Sequence, residues 1–303
     1  MMSGAELARE RTKTALQTAA IGIALAALVL TVGFAVLGRT GLVVIAVAVG
    51  LSLVQSTRVS LQMRPADAAE LRYADAPWLF DLIDDLCRRA GIAVPPRIYY
   101  SRSPLMNAMT FGVADDTSIL LTAGVVNSLS RRELAGVVAH EVAHIRNNDL
   151  QLFRIAELAR VTTHLVAQIG WFSLLLFFPL WAFSGAVVPG RLLLLLFAAP
   201  LVSILLQLAL FRTREFAADA TAAGLTNDPL GLASALRKID AGGRSLFEQL
   251  FPVSRADQRS LFRTHPPTPA RIRRLTALAG ADNRQAAARR WWGSSQPGLY
   301  RFF

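Results

Sequence analysis

The sequence predicts an α-helical membrane protein with four transmembrane helices in two hairpins and a mainly α (α+β) soluble domain. Three observations lead there. Hydrophobic residues make up 53% of the 303 and charged residues only 17%, a balance outside the ordinary globular range. Four apolar stretches are candidates to cross a bilayer. The segments between and after them carry the periodicity and turn signals of a folded domain.

The apolar stretches come in pairs. The first runs over about residues 16–38 and, after "RTG", the second over about 42–57. The third covers about 163–188 and the fourth about 192–211. A spanning helix needs ~20 apolar residues, so the second is short and leans on its flanks. The first is longer than the ~7–15-residue core of a cleaved signal and is followed at once by another apolar segment, which favours an uncleaved hairpin.

Pairing fixes sidedness. With two hairpins, the N-terminal tail, residues 58–162 and residues 212–303 share one face of the membrane. Arg9, Arg11, Lys13, Arg58, Arg64, Arg154, Arg160, Arg212 and Arg214 flank that face, whereas the short turns carry only Arg39 and Arg191. Lysine and arginine accumulate on the cytoplasmic side, so both termini and the soluble parts are expected in the cytoplasm. The formal net charge of +11 is read in the same way. The arginines are dispersed and no nucleic-acid motif accompanies them, so no nucleic-acid partner is expected.

The one cysteine, Cys87, excludes an intramolecular disulfide. It lies in "FDLIDDLCRRAG", a helical pattern, and is read as a small buried apolar residue. "PRIYYS" reads as a strand, "SPLMNAMTFG" as a loop and Ser118–Thr122 as a second strand. His164 heads the third span and is read as an interfacial or packing residue.

The chemistry is concentrated in "RRELAGVVAHEVAHIRN". Ser130 followed by Glu133 is a capping box that starts a helix, and Asn147, Asn148 and Asp149 favour its end. Leu134, Val137, Val138, Val142 and Ile145 recur at helical spacing. On such a helix His140 and His144 lie four apart, a turn of ~400° and a rise of ~6 Å, so both imidazoles leave one side. They can share one zinc ion. Glu141, rotated ~100° from His140, is placed for a general base and not for a ligand. This makes the soluble domain zincin-type. A hydrolytic zinc site needs a third protein ligand and an open position. "FRTREFAADATAAG" supplies Glu215 as that ligand and Asp219, one turn on, as a hydrogen-bond acceptor behind a ligand histidine. Standing alone, the segment would instead read as a solvated or salt-bridged acidic pair near Arg212 and Arg214.

Together "HEVAH", a membrane hairpin, "REFAADATA" and "THPPTPARIRRL" resemble the HtpX family of membrane zinc metallopeptidases, which is related to the CAAX prenyl proteases and grouped with the gluzincins. The resemblance implies one zinc ion held by His140, His144 and Glu215, with Glu141 catalytic. It implies an inner-membrane, multi-pass endopeptidase with a cytoplasmic active site, acting on misfolded or damaged membrane proteins. It also implies that Asn107 and Ala108 lie near substrate, and that His265 and Arg271 belong to the active site. His265, ahead of Pro266 and Pro267, is expected to donate to the oxyanion of the attacked carbonyl, with Arg271 supporting it or contacting substrate backbone.

Strand 118–122, with Ile119 and Leu120, is read either as an exposed edge that pairs with extended substrate or as an interior strand. The tail residues Trp291, Trp292 and Tyr300, among arginines, suit a membrane interface or a disordered end. The expected organisation is residues 1–57 as tail and first hairpin, 58–162 as the first catalytic part, 163–211 as the second hairpin, and 212–303 as the second catalytic part. Two alternatives stand beside this reading: a narrow-specificity processing protease of the CAAX type, and a non-catalytic metal-binding membrane scaffold.

Overall fold

The computed structural model describes residues 4–59, 67–113, 116–185, 187–250 and 268–279. The chain divides into two compact units. One comprises residues 1–11, 59–150 and 214–303, and the other residues 12–58 and 151–213.

The first unit holds a four-stranded sheet and a group of helices. Strand β1 (Ala69–Glu70) is followed by helix α2 (Pro77–Ala90), strands β2 (Arg97–Ser101), β3 (Ala108–Val113) and β4 (Asp116–Thr122), and helices α3 (Ala123–Ser128) and α4 (Arg131–Arg146). Helices α8 (Pro229–Leu250) and α9 (Thr268–Leu278) complete it, with the last turns of α7 (Gly190–Thr226). Helix α2 begins on Pro77 and closes on Gly91 at φ 72°, a left-handed position that glycine takes without steric cost. Cys87 is buried on it, and burial, with Asp84 nearby, pushes its thiol up to about 11; the residue packs as an apolar group.

The strand order is β1-β2-β4-β3. β4 pairs with β2 in parallel and with β3 antiparallel, Ile119 standing opposite Ile98 and Thr110. This corrects the edge reading of residues 118–122. Both sides of β4 are occupied by neighbouring strands, and Ile119 and Leu120 are 0% and 2% exposed, so neither can meet an incoming chain. The outer strand is β3, formed by residues that read as a loop. Asn107 enters it with its backbone held by Thr122: its N–H donates to Thr122 Oγ1 at 2.9 Å, and its carbonyl accepts from Thr122 N at 3.1 Å.

The core of this unit forms between α2, α4, α8 and the sheet, around Leu79, Ile83, Leu86, Val138, Leu232 and Leu275. Helix α4 starts as its capping box requires. Ser130 Oγ accepts from Glu133 N, and Glu133 Oε2 accepts from Ser130 N at 2.8 Å. The same buried carboxylate receives Ser234 Oγ at 2.7 Å and Lys238 Nζ at 2.7 Å from α8. Arg132 holds Asp228 with Nε and Nη2 at 2.5 and 2.7 Å, so α8 is tied to the start of α4 twice. Gly136 lets the two helices approach, for a Cβ there would lie 2.8 Å from Leu232 N.

The second unit consists of apolar helices. Helix α1 (Gly4–Val59) breaks at Gly38, φ 61°. Beyond the break Gly41 abuts the backbone of Gly33, where a Cβ would meet the Gly33 carbonyl oxygen at 2.2 Å. Helix α5 (Asp149–Leu176), the short α6 (Phe178–Ser184) and α7 supply the rest. Val32, Val166 and Ala199 pack together, as do Leu25, Ala156, Leu210 and Phe211. Ile23, Phe34, Phe172, Leu175, Phe197 and Leu201 face outward, an apolar exterior that suits lipid and not water.

Among the described residues two helices are long and apolar enough to cross a membrane, Thr12–Val43 and Gly190–Thr226. Helices α5 and α6, bent by 54° at their break, make a third if they form one broken span. Of the four spans expected, the described residues therefore show two, or three with the broken pair. The first expected span lies within Thr12–Val43 and the fourth within Gly190–Thr226, and the third breaks at Phe177.

Candidate metal centre

Helix α4 carries His140, Glu141 and His144 on buried turns. The Nε2 atoms of His140 and His144 lie 3.1 Å apart, and the two rings meet nearly edge to face at 84°. Glu215, on α7, faces both: Oε2 is 3.5 Å from His140 Nε2 and Oε1 is 3.5 Å from His144 Nε2. The three side chains form the one group of metal-ligating type found among the described residues, with donor atoms within 4.8 Å of one another.

Each histidine is backed by a carboxylate on its other nitrogen. His140 Nδ1 lies 3.1 Å from Asp219 Oδ1, and His144 Nδ1 lies 2.7 Å from Asp149 Oδ2. A carboxylate only accepts, so both Nδ1 atoms carry hydrogen, and each ring, when neutral, turns an Nε2 lone pair inward. Two lone pairs facing each other beside a carboxylate are mutually repulsive unless a cation lies among them. This donor chemistry fits zinc, which takes imidazole nitrogen and carboxylate oxygen. The surrounding acids favour positive charge at this point, carried by a proton on a ring or by a metal ion between them. Burial disfavours a charged His144, yet hydrogen bonds to Asp149 and Glu215 outweigh it and hold the ring up at about 10. His140 is likewise raised: Asp219 and Glu215 prevail over its burial and over Arg271.

The acids are in turn clamped by arginines. Arg271 on α9 donates from Nε and Nη2 to Asp219 at 2.7 and 2.6 Å, and its Nη1 lies 3.1 Å from Glu215 Oε2. Burial works against charge on this guanidinium, but Asp219 and Glu215 raise its pKa further above an already high value. Arg214 Nε donates to Asp149 Oδ1 at 2.5 Å. Glu141 is buried beside the outer strand, and Thr110 Oγ1 on β3 donates to its Oε2 at 2.6 Å.

Of the residues expected at the site, His140, Glu141, His144, Glu215, Asp219 and Arg271 come together. Arg271 does so in a different posture from that expected. It is 5% exposed and turned onto two carboxylates, so it is not a group that faces substrate backbone. Ala108 is buried on β3 and Asn107 is half-buried just before it. His265 and the tail residues Trp291, Trp292 and Tyr300 lie outside the described residues. Three participants were not anticipated: Thr110, Asp149 and Arg214. In the sequence Asp149 carries only a helix-stop signal. Asn148 takes a left-handed φ of 56°, which asparagine tolerates, and the corner it makes brings Asp149 against His144.

Residues 73–279 match peptidase family M48. The protease HtpX homologue of Persephonella marina is 35% identical over 74% of this chain and 82% of that protein. The homologue of Sulfurihydrogenibium sp. is 33% identical over 84% of this chain and 93% of its own length. That of Acidiphilium cryptum is 39% identical over 75% and 82%. Among solved structures, the crystal structure of S. mikatae Ste24p aligns with a TM-score of 0.50 at 22% identity, covering 89% of this chain and 66% of that one; at that identity the likeness concerns the fold. The chain therefore belongs to peptidase family M48, among the HtpX-type proteases, and is a metalloprotease.

Proposed function

We propose that the protein is a zinc-dependent membrane endopeptidase that cleaves misfolded or damaged membrane proteins on the cytoplasmic side. The observation that carries this is the convergence of His140, His144 and Glu215, with Glu141 beside them bonded to β3, the outermost strand among the described residues. His140, His144 and Glu215 would hold one zinc ion. When bound, zinc supplies a Lewis acid that polarises the scissile carbonyl and acidifies water. Glu141 takes the proton of the attacking water and passes it to the leaving amine. Thr110 holds one oxygen of that carboxylate, which fixes the direction of the other. An extended substrate pairs with the outer side of β3, and Asn107 and Ala108 lie where it would enter. His265 keeps its proposed role as oxyanion donor, and Arg271 is reassigned to holding Asp219 and Glu215.

The topology belongs to the same proposal. The arm after Gly38 returns the chain across the bilayer, and α5 with α6 forms one broken span, giving four crossings in two hairpins. Both termini and the two catalytic parts, residues 58–162 and 212–303, are then cytoplasmic in a multi-pass inner-membrane protein. The excess of arginine around these segments supports that orientation. Broad cleavage of unfolded membrane chains distinguishes this reading from a CAAX-type processing enzyme.

The test uses the full chain in detergent, with an unfolded membrane protein as substrate. Removal of metal by a chelator is expected to abolish cleavage and one equivalent of zinc to restore it. Cleavage that survives complete removal of metal would contradict the proposal.

A further inference from the structure

We propose that Asp149, clamped by Arg214, is the positioning residue that presets His144 as a metal donor, the counterpart of Asp219 clamped by Arg271 behind His140. This rests on the reading of His140, His144 and Glu215 as the metal ligands.

The two arrangements share one order, histidine to aspartate to arginine. His144 Nδ1 lies 2.7 Å from Asp149 Oδ2, and Arg214 Nε donates to the other oxygen, Oδ1, at 2.5 Å. On His140 the same order holds: Nδ1 to Asp219 Oδ1 at 3.1 Å, with Arg271 on both oxygens of that aspartate. Asp149 is fully buried. A buried carboxylate facing one neutral imidazole would be left short of positive charge, and Arg214 supplies it. The arginine does a second thing. Its Nη2 reaches the carbonyl oxygen of Asn147, the residue that caps α4, at 3.5 Å. The carboxylate and the end of the histidine-bearing helix are thus gripped by one guanidinium.

The consequence for His144 is specific. Because Asp149 only accepts, it fixes the hydrogen on Nδ1 and the plane of the ring, so that Nε2 presents its lone pair toward Glu215. Helix α7 then addresses every donor within two turns. Arg214 acts through Asp149 on His144, Glu215 is itself a donor, and Asp219 acts on His140. Arg214 and Glu215 are adjacent, so the same turn that delivers the third ligand also locks the second.

The competing account is a salt bridge that merely stiffens the corner between α4 and α5. Metal affinity separates the two. In the full-length protein in detergent, zinc affinity is measured by competition with a chromophoric chelator, alongside the visible absorption of the cobalt-substituted form and the melting of the metal-free protein. Asp149→Ala is expected to weaken zinc binding roughly ten- to hundredfold and to alter the cobalt spectrum. Asp149→Asn keeps an acceptor oxygen and is expected to recover part of the loss. Arg214→Lys, which keeps charge without the fork, should fall between that variant and wild type. His144→Ala is the control and should lose the metal. Zinc affinity and cobalt spectrum unchanged in Asp149→Asn and Arg214→Lys, with only a lower melting temperature, would overturn the proposal even if Asp149→Ala failed to fold. Wild-type affinity in His144→Ala would overturn the ligand reading and this proposal with it.

Discussion

Thr110 on the outer strand β3 donates its hydroxyl to Glu141 Oε2 at 2.6 Å and also reaches the backbone carbonyl of the same residue at 3.3 Å. The strand proposed to receive substrate is thereby fastened to the residue proposed to move the proton. Removing the hydroxyl leaves the carboxylate free to rotate while β3 keeps its shape. Thr110→Val is therefore expected to retain metal and to lower kcat about ten- to a hundredfold, corresponding to ~1.5–3 kcal/mol for a hydrogen bond to a charged group. Steady-state kinetics with metal analysis decide it; an unchanged kcat would separate Thr110 from the chemistry.

Glu133 ties the start of α4 to α8. Burial alone would raise its pKa, but the hydrogen bonds from Lys238, Ser234 and Ser130 prevail and hold it below the usual carboxylate value. A carboxylate lowered in the folded state adds stability that is complete above its unfolded pKa, about 4.3, and is lost as pH falls through the lower folded value. Glu133→Gln should thus melt well below wild type at pH 7, and the gap should narrow below about pH 4. A gap that stays constant across this range would show that the charge of Glu133 is not what matters.

Two glycines should respond to alanine in opposite ways. At Gly136 the new methyl would meet the backbone of Leu232 at 2.8 Å, which neither helix can yield cheaply. Overpacking costs ~1–3 kcal/mol, which outweighs the ~1 kcal/mol that alanine gains in a helix. At Gly224 nothing lies within 4 Å, so the helix gain should stand alone. Thermal melts are expected to show Gly136→Ala below wild type and Gly224→Ala at or above it.

What could be read from the sequence was local. The capping box of Ser130 and Glu133, the four-residue spacing of His140 and His144, and the same spacing of Glu215 and Asp219 are properties of single helices, and each stands as expected. What could not be read depends on partners far apart in the chain. The order of the sheet puts β4 inside and β3 outside because β2 pairs with β4 across the β3 segment, a choice that alternation of side chains does not encode. Asp149 reads as punctuation until Asn148 turns the chain and Arg214 arrives from another helix. Arg271 was recognised as a site residue, but its partners, Asp219 and Glu215, become visible only when α9 meets α7. The spans follow the same rule. Apolar length is legible, and the break at Phe177 precedes Pro179, whereas the close approach of Gly41 to Gly33 shows only in the folded chain.

The most direct test of the central claim is the zinc content and turnover of Glu141→Gln, measured on one purified preparation. The substitution keeps the size and an acceptor oxygen beside Thr110 but cannot take a proton. The account predicts one zinc per chain, as in wild type, and turnover reduced on the order of a hundred- to ten-thousandfold, the usual worth of a positioned acid–base group. Turnover near the wild-type level with zinc in place, or loss of zinc from this variant, would contradict the assignment of Glu141 as base beside a metal held by His140, His144 and Glu215.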